Sequence, residues 1–398
     1  MKFLFITTFN PFNHSSGGNQ RSYLLCKSLC DIGEVDVITI GPNREVENKT
    51  LPCNNLGTII VKSDLLYKYK EAFVVFIKCL LMKEKCCYAK NRYLTKCVKD
   101  ILASGNYDFV VVRYMKTVYA AGLENMSNLI VDIDDLPHLA FNACVTSVYN
   151  GFIRRICEFM EYRIESDFLK FSKKNIPMFV SDGEKILDGN MSFLPNIPID
   201  DDNRNIYMSC SEKKNILFFV GLLSYKPNYL GLDYFIDNIW NQVIKIVPDA
   251  ILKIAGKDLL PYYRKKWSLC KGIKLLGYVD DLVSEYRTSK VFISPIYTGG
   301  GTNIKILEAI KYNIPIVASP FSIRGYSSFL KNGANIFIAK DDDSFVQCII
   351  TLLQNDKLCR SISDMALKSM SKLYSYSSFC SIVNECVNRN LNKRNNGL

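Results

Sequence analysis

Short apolar runs, many of them rich in β-branched residues, alternate with helical patterns along the first half of the chain. Continuous apolar runs of this length predict strands that are buried on both faces. The predicted strands are Lys2–Ile6, Val35–Ile40, Thr58–Val61, Phe109–Val112, Leu129–Val131 and Pro177–Val180. Helices are expected between them, including Asn19–Asp31 and Arg154–Ser172. Apolar strands separated by helices indicate a parallel sheet covered by helices on both faces.

A polar segment interrupts this pattern near residue 200. Leu194–Asp202 holds two prolines and three aspartates, a composition typical of an interdomain linker. A second strand–helix series follows, with strands predicted at Ile216–Val220, Ala250–Ala255, Ile273–Leu276, Val291–Ser294, Ile314–Val317 and Asn335–Ile338. The chain closes with helical patterns over Asp341–Gln354, Leu358–Lys372 and Ser377–Asn388. The sequence therefore predicts two α/β domains, with ligands bound beyond the carboxyl ends of the strands.

Composition narrows the class of protein. Of the 398 residues, 48% are apolar, which is enough for two packed cores. The apolar run Phe3–Ile6 is too short for a signal peptide. The longest apolar run, Ala72–Met82, contains Lys78 and is too short to span a bilayer. We therefore expect a cytoplasmic protein, at most peripheral on the inner face of the cytoplasmic membrane.

The chain has fifteen cysteines, which raises the question of zinc sites or disulfides. No C-x-x-C pair is present, and the two histidines, His14 and His138, lie far apart in the sequence. A zinc site with the usual ligand spacing therefore cannot be written. We expect the cysteines, among them Cys26, Cys30 and Cys348, to be small buried hydrophobes in a reducing cytosol, and we predict no metal site.

Much of the net charge of +11 comes from one segment. Residues 62–99 contain ten Lys or Arg and three acidic residues, interleaved with aromatic and aliphatic side chains. This pattern is typical of a basic amphipathic surface that docks on anionic lipid, and also of ordinary helices whose lysines are solvated. No nucleic-acid-binding motif accompanies the charge, so nucleic acid is not expected as a partner.

The stretch Ser294–Ala309 carries the strongest candidate chemistry. A predicted strand ends there, three glycines follow at Gly299–Gly301, and a helix begins with Thr302 placed to cap it. Glycines let a phosphate approach the backbone, and the free N–H groups and dipole of a helix start bind anions. Lys305 adds a cation one turn into the helix, and Glu308 offers a carboxylate to a ribose diol. The alternative is a tight strand-to-helix turn with a solvated Glu308.

Four stretches together resemble the retaining glycosyltransferases of family 4, the group 1 set with the GT-B fold. Gly299–Ser319 is similar to that family's signature of a glycine turn, a Glu-Ala helix and a Pro-Ile-Val-Ala strand. Met1–Leu29 is similar to its N-terminal strand, Gly-Gly loop and helix. Val220–Asn228 resembles the first turn of its C-terminal domain, and Gly277–Leu282 resembles its base-reading loop. The resemblance covers essentially the whole chain in the family's order.

This resemblance implies an α/β architecture of two Rossmann-like doubly wound domains that face each other across a cleft. The N-terminal domain, residues 1–195, would bind the acceptor. The C-terminal domain, residues 196–375, would bind the sugar nucleotide. A C-terminal helix over residues 376–398 would cross back to pack on the N-terminal domain.

The resemblance also implies roles for individual residues in the C-terminal domain. Glu308 would bind the donor ribose, and Lys305 and Lys226 are the candidate phosphate cations. Tyr278 and Val279 would border the nucleobase. Backbone groups would hold the diphosphate and the sugar, and these groups belong to Gly300, Gly301, Thr302 and Asn303.

In the N-terminal domain, Gly17 and Gly18 would let a loop approach the donor diphosphate. Asn10, His14 and Arg21 would lie near the sugar or the acceptor. The residues assigned to the reaction itself are Glu308, Lys305 and His138.

Three positions depart from the family's pattern. Gly300 stands where many members have the first of two glutamates, and a backbone amide would take over that role. Leu222 or Leu223 stands near the usual arginine of the first turn. Asp134 occupies the place of a histidine; His138 nearby is either its substitute or a structural residue.

Asp132 and Asp134 also form a D-x-D pattern, which in glycosyltransferases of the other common fold binds a divalent cation. The alternating strands and helices of this chain are wrong for that fold. A role for Asp132 or Asp135 as a helix cap, or on the cleft, is favoured, and no metal cofactor is expected.

The expected activity is glycosyl transfer from a UDP- or GDP-sugar to an acceptor hydroxyl, with retention, in cell-surface polysaccharide biosynthesis of the O-antigen or capsule type. The expected acceptor is a glycan or lipid-linked glycan. The alternatives are a sugar-nucleotide epimerase or phosphorylase of the same architecture, and a non-catalytic sugar-nucleotide-binding partner in a polysaccharide assembly complex.

Overall fold

The computed structural model describes residues 1–13, 16–42, 51–61, 76–77, 86–145, 151–181, 189–199, 214–299, 302–370 and 374–395. Two compact units make up the chain: an N-terminal unit of Met1–Asn196 with Tyr376–Leu398, and a C-terminal unit of Ile197–Ser375. His14, Gly300, Gly301 and most of the basic segment 62–99 lie outside the described residues. Within the described stretches, no helix combines the length and apolar character needed to cross a bilayer.

A seven-stranded sheet of parallel strands forms the centre of the N-terminal unit, in the order β3-β2-β1-β4-β5-β6-β7. The strands are β1 (Lys2–Thr7), β2 (Glu34–Gly41), β3 (Asn54–Ile60), β4 (Phe109–Arg113), β5 (Leu129–Asp134), β6 (Met178–Val180) and β7 (Met191–Phe193). The three residues of β7 give too short an apolar run to be recognised in the sequence. The other strands overlap their predicted ranges, because buried parallel strands are continuously apolar.

Within the described residues, five helices of this unit lie between its strands. They are α1 (Gly17–Cys30), α2 (Arg92–Ser104), α3 (Met115–Ala121), α4 (Pro137–Val145) and α5 (Gly151–Ser172). Ser16 caps α1 by accepting a hydrogen bond from the backbone N–H of Asn19. Helix α1 buries Leu24, Leu25 and Leu29 and so anchors the loop before it to the unit's interior.

The C-terminal unit has a six-stranded parallel sheet in the order β10-β9-β8-β11-β12-β13. Its strands are β8 (Ile216–Val220), β9 (Ile251–Ala255), β10 (Ile273–Gly277), β11 (Val291–Ser294), β12 (Ile316–Ala318) and β13 (Phe337–Ile338). Strand β12 begins after Pro315, which has no N–H to donate to a ladder. The order reverses direction between β8 and β11, which makes their carboxyl ends a topological switch point.

Helices connect these strands: α6 (Lys226–Phe235), α7 (Asn241–Ile246), α8 (Pro261–Ser268), α9 (Leu282–Thr288), α10 (Ile304–Lys311), α11 (Asp342–Gln354) and α12 (Asp356–Ser369). A π-helical turn over Ile236–Trp240 joins α6 to α7, and a 3₁₀ turn over Pro320–Ile323 follows β12. Trp240 and Trp267 are fully buried in the core, and both indole N–H groups donate hydrogen bonds within the unit.

The last helix, α13 (Tyr376–Asn395), belongs to the N-terminal unit. Its first residue, Tyr376, donates a hydrogen bond to Asp31 at the end of α1 (2.8 Å). Near its other end, Arg394 donates to the carbonyl of Asp108 (2.6 Å). The final helical segment therefore packs on the first half of the chain, although more than 170 residues of the C-terminal unit separate the two in sequence.

Candidate active site

Gly299 and helix α10 lie at the carboxyl edge of the C-terminal sheet, after β11. Strand β8, which pairs with β11, leads at the same edge into the turn that begins at Gly221. Two of the stretches singled out in the sequence are therefore neighbours at the topological switch point. That is the place where open α/β sheets bind their ligands.

Helix α10 begins one residue later than predicted. Asn303, not Thr302, is its N-cap residue, and the Asn303 side chain makes no capping hydrogen bond. Its amide instead donates to the carbonyl of Ser322 in the 3₁₀ turn (3.0 Å). The Asn303 side chain therefore fixes the helix start while leaving the first-turn N–H groups of α10 to other acceptors.

Lys305 lies in the first turn of α10 and is 9% exposed. Its Nζ donates to the amide oxygen of Asn228 (2.8 Å) and lies 4.4 Å from the ring centroid of Phe219. Burial lowers the pKa of the Lys305 ammonium to about 7, while the Glu308 carboxylate acts in the opposite direction. The lysine is thus held in an apolar and amide environment in the first turn of the helix.

Gly221 makes room for this lysine. A Cβ at Gly221 would lie 2.8 Å from Nδ2 of Asn228 and 3.0 Å from Nζ of Lys305. The same Nδ2 donates to the carbonyl of Leu222 (2.8 Å), which orients the amide so that its oxygen faces Lys305. The first turn after β8 therefore positions the cation of a helix that begins more than 70 residues later.

Glu308 is half-buried and lies one turn beyond Lys305 on α10. The hydroxyl of Tyr286, from α9, donates to its Oε2 (3.1 Å). Tyr286 is 1% exposed and stacks on Tyr312, with ring centroids 5.0 Å apart. Burial raises the pKa of Tyr286, which keeps its proton on the hydroxyl. Glu308 is therefore an oriented carboxylate and not a freely solvated one.

Arg324 is a neighbour of Gly299 that was not predicted from the sequence. It follows the 3₁₀ turn, donates from Nη2 to the carbonyl of Gly299 (3.2 Å), and lies over the ring of Phe321 at 4.4 Å. Gly325 beside it has φ +85°, and a Cβ there would lie 2.5 Å from Cγ2 of Thr302. A signal existed in the sequence, since the Arg-Gly pair follows strand β12 at the same sheet edge.

The remaining predicted donor-site residues lie at the same edge of the C-terminal sheet. Lys226 is the half-buried first residue of α6. Tyr278, 63% exposed, and Val279, half-buried, follow β10. Strand β10 is the outermost strand, two places from β8, so these two residues lie further from the switch point than Lys305 and Glu308.

In the N-terminal unit, a buried network of two arginines and two aspartates occupies the equivalent sheet edge. Arg21 of α1 and Arg113 of β4 both bind Asp132 of β5, with shortest distances of 2.7 Å and 2.8 Å. Arg113 also binds Asp134 (3.0 Å). The first three side chains are at most 1% exposed and that of Asp134 is 15% exposed. The two guanidinium groups lower the pKa of Asp134 against the opposing effect of burial.

This network gives the contacts of Arg21 and of both D-x-D aspartates. Arg21 donates its other hydrogen bonds to the carbonyl of Leu194 and the side chain of Asn196, both 2.9 Å, so its contacts lie within the N-terminal unit, and a position near the sugar or the acceptor stays a prediction. Asp132 neither caps a helix nor faces solvent. The D-x-D carboxylates are bound by two arginines, one at the end of β4 and one on α1, which meet beside the end of β5.

The glycine pair of the N-terminal loop forms the first turn of α1. Gly17 is exposed, and the carbonyl of Gly18 accepts a hydrogen bond from Arg113 (2.6 Å). A Cβ at Gly18 would lie 2.6 Å from the ring of Phe9. Packing inside the unit therefore explains why glycine is needed at position 18. Asn10 is buried, and its side chain accepts from the N–H of Phe12 (2.8 Å).

His138 is the second residue of α4 and is 9% exposed. Its Nε2 lies 3.8 Å from Oε1 of Glu165 on α5. The residues predicted to serve the reaction are thus divided between the units. Lys305 and Glu308 share one helix of the C-terminal unit, whereas His138 lies in the N-terminal unit.

Most of the C-terminal unit matches a known protein family. Residues 214–355 match the family described as glycosyl transferases group 1. An uncharacterised 44.6 kDa protein in the cps region of Klebsiella pneumoniae is 23% identical over 394 residues, covering 94% of this chain and 96% of that protein. The UDP-Gal:α-D-GlcNAc-diphosphoundecaprenol α-1,3-galactosyltransferase of Escherichia coli is 29% identical over 134 residues, 32% of each chain.

Solved glycosyltransferase structures match over nearly the whole chain. A variant of Staphylococcus aureus TarM, in complex with fondaparinux, α-GlcNAc-glycerol and UDP, has a TM-score of 0.64 at 13% identity and covers 98% of this chain and 100% of that one. WaaG, a glycosyltransferase involved in lipopolysaccharide biosynthesis, has a TM-score of 0.64 at 14% identity, with 96% and 99% covered. The fold is GT-B. The match to the group 1 family lies within the C-terminal unit.

In the GT-B fold of this chain, the described residues of the candidate site come from four separate connections of one sheet. Asn228 follows β8, Tyr278 and Tyr286 follow β10, Lys305 and Glu308 follow β11, and Arg324 follows β12. The sequence alone predicts the helix with its lysine and glutamate. The contacts of Asn228, Tyr286 and Arg324 were not predicted, because they depend on which strands are neighbours.

Proposed function

We propose that the chain transfers a sugar from a UDP- or GDP-sugar to an acceptor hydroxyl, with retention, during the assembly of a capsule-like surface polysaccharide. The group 1 match, the relative in a cps region, the E. coli galactosyltransferase and the UDP complex of TarM support this proposal. The C-terminal unit would bind the donor and the N-terminal unit the acceptor, a glycan or lipid-linked glycan.

The environment of Lys305 is the observation that carries this proposal. A buried ammonium is costly unless an anion accompanies it. Within the described residues, Lys305 donates to a neutral amide and forms no ion pair. A diphosphate bound at the start of α10 would supply the missing negative charge. The helix N–H groups and dipole act on the same anion.

The chemistry follows from where negative charge develops. The bond between the anomeric carbon and the diphosphate oxygen breaks, the acceptor oxygen bonds to that carbon, and the acceptor proton passes to a phosphate oxygen. Lys305, Lys226 and the N–H groups of α10 would stabilise the departing diphosphate. Glu308, oriented by Tyr286, would accept hydrogen bonds from the ribose diol. Attack and departure on the same face give retention.

We propose that this transfer needs no metal. The positive charge comes from Lys305, Lys226 and the helix start. Asp132 and Asp134, the carboxylates that fit a metal-binding pattern, are already bound by two arginines. The membrane contact through residues 62–99 stays a prediction from the sequence, since most of that segment lies outside the described residues.

Replacing Glu308 by glutamine tests the site directly. The amide keeps the shape of the side chain and can still accept from Tyr286, but it loses the charge that strengthens the hydrogen bonds to a ribose. We expect sugar-nucleotide binding to weaken by about 10- to 100-fold, the value of a charged hydrogen bond. A thermal-shift screen against UDP- and GDP-sugars identifies the ligand, and calorimetry then measures its affinity for both proteins.

The matched control is Tyr286→Phe, which removes only the hydroxyl that orients Glu308. It should weaken binding less than Glu308→Gln does. Unchanged affinity in Glu308→Gln would remove the ribose assignment, and the site with it. Release of free nucleotide only when an acceptor is present separates a transferase from an epimerase or a non-catalytic binding partner.

Donor binding should also depend on pH through Lys305. With a pKa near 7 in the free protein, the lysine is largely neutral at pH 8. A bound diphosphate raises that pKa, so binding takes up a proton and affinity falls as pH rises above 7. Well below pH 7 the lysine is charged in both states and contributes no pH dependence.

Calorimetry at pH 8 in buffers of different ionisation enthalpy measures this proton uptake. The ligand should be the intact sugar nucleotide, because a free terminal phosphate titrates near pH 6 and would add its own protons. Uptake should disappear in Lys305→Met. Equal uptake by the wild type and that variant would show that another group is responsible.

A further inference from the structure

Three thiol groups of the N-terminal unit converge from two separate segments of the chain. Cys26 and Cys30 lie one turn apart on α1 and therefore share a face of that helix. Cys53 immediately precedes β3, the edge strand of the sheet. The three Sγ atoms all lie within 4.8 Å of one another. None of these residues belongs to the candidate active site.

The spacing suits a thiophilic metal ion. A tetrahedral zinc with Zn–S bonds of about 2.3 Å holds its sulfur ligands roughly 3.8 Å apart, so small side-chain shifts would bring these thiols to ligand distance. Cys26 is buried, whereas Cys30 and Cys53 are half-buried. The cluster is thus shielded by protein on one side and reachable by an ion from the other.

The three thiols can all serve as ligands of one ion. Each would lose its proton on binding, so that the metal is held by three thiolates.

We propose that Cys26, Cys30 and Cys53 form a structural site for a thiophilic divalent cation, Zn²⁺ in the cell. Three thiolates leave one tetrahedral position for water or a small thiol. The ion would cross-link α1 to the segment before β3. Because α1 begins with Gly17 and Gly18, the same cross-link would steady the N-terminal loop.

No zinc site was predicted from the sequence, because the chain has no C-x-x-C pair and its two histidines lie far apart. This cluster has a different spacing. Cys26 and Cys30 come from one helix with three residues between them, and Cys53 precedes a strand 23 residues after Cys30. Cys53 comes close to the helix because β3 pairs with β2 and α1 packs on the same sheet.

A second group, Cys86, Cys87 and Asp167, has a similar spread. Its carboxylate already accepts a hydrogen bond from the backbone N–H of Cys87 (2.7 Å). Two of its ligands are also consecutive residues, which restricts the directions in which their sulfurs can point. These features favour the Cys26, Cys30 and Cys53 cluster as the metal site, and the second group serves as a control.

The test uses the full chain, reduced with a phosphine, freed of metal by a chelator and then given Zn²⁺ or Cd²⁺. We expect one equivalent of metal to remain after gel filtration, with cadmium–thiolate absorption in the near ultraviolet. Cys30→Ser and Cys53→Ser should each weaken binding by about 10-fold or more. Cys157→Ser, on α5, and Cys86→Ser should bind like the wild type.

A second measurement needs no variant. Alkylation of the wild type, read by mass spectrometry, should show Cys26, Cys30 and Cys53 protected by Zn²⁺, with Cys157 reacting equally with and without the ion. The proposal is overturned if these three thiols gain no protection, or if Cys86→Ser and not Cys53→Ser removes the metal. Neither readout depends on transferase activity, so the outcome is independent of the proposed function.

Discussion

Lys305→Met should lower kcat/KM for sugar transfer by about 10²- to 10³-fold, the usual effect of removing one group that stabilises charge in a transition state. Methionine has nearly the length of lysine and fills the same buried space beside Phe219 and Asn228. The variant therefore removes charge without opening a cavity. Release of nucleotide in the presence of acceptor, measured over a range of donor concentrations, gives kcat and KM separately.

The separate effects on kcat and KM show whether Lys305 contacts the diphosphate in the bound donor or only in the transition state. A diphosphate contact made only as the leaving group departs lowers kcat, whereas a contact made equally in the bound donor raises KM. Lys245→Met, an exposed lysine of α7 in the same unit, is the matched control and should behave as the wild type does. A Lys305→Met enzyme with unaltered kcat/KM would refute the role of this helix start.

Asp132→Ala should lower the free energy of unfolding of the N-terminal unit by about 3–5 kcal/mol, the cost of removing one partner from a buried ion pair. The substitution leaves Arg21 and Arg113, at most 1% exposed, without their shared carboxylate. Asp134 still contacts both guanidinium groups but is held with φ +59° and is less buried. The loss of stability should therefore approach the loss expected when a buried charge is left without a partner.

Because the chain has two compact units, a single unfolding midpoint would mix their stabilities. Hydrogen exchange followed by mass spectrometry resolves the two units, and the loss should appear in peptides from β4 and β5 but not from β8 and β11. Asp100→Ala, an exposed acid on α2 of the same unit, is the control. A change below about 0.5 kcal/mol in Asp132→Ala, as for ordinary surface substitutions, would mean that the network is not the support we infer.

The same network supports the first turn of α1. Arg113 binds Asp132 and also holds the carbonyl of Gly18 in that turn. Loss of Asp132 should therefore also loosen the start of α1 within the N-terminal unit, whereas Lys305→Met changes a side chain of the C-terminal unit without opening a cavity.

Much of the fold follows from the sequence alone. The predicted bounds of β8 and β11, Ile216–Val220 and Val291–Ser294, match the structure because a strand buried on both faces is a continuous apolar run. The placement of Lys305 and Glu308 on one helix follows equally, because three residues make nearly one helical turn. These are local properties, carried by residues close together in the chain.

What the tertiary structure decided is the partner of each polar group. Arg21 and Asp132 are 111 residues apart, Lys305 and Asn228 are 77 apart, and Cys53 joins two cysteines of a distant helix. The residues next to a lysine in the sequence of a helix do not determine whether its side chain is solvated or buried. Its pKa, and hence its chemistry, depends on which strands pair and which side chains their connections deliver to one edge, and parallel sheets make those pairings over long crossover connections.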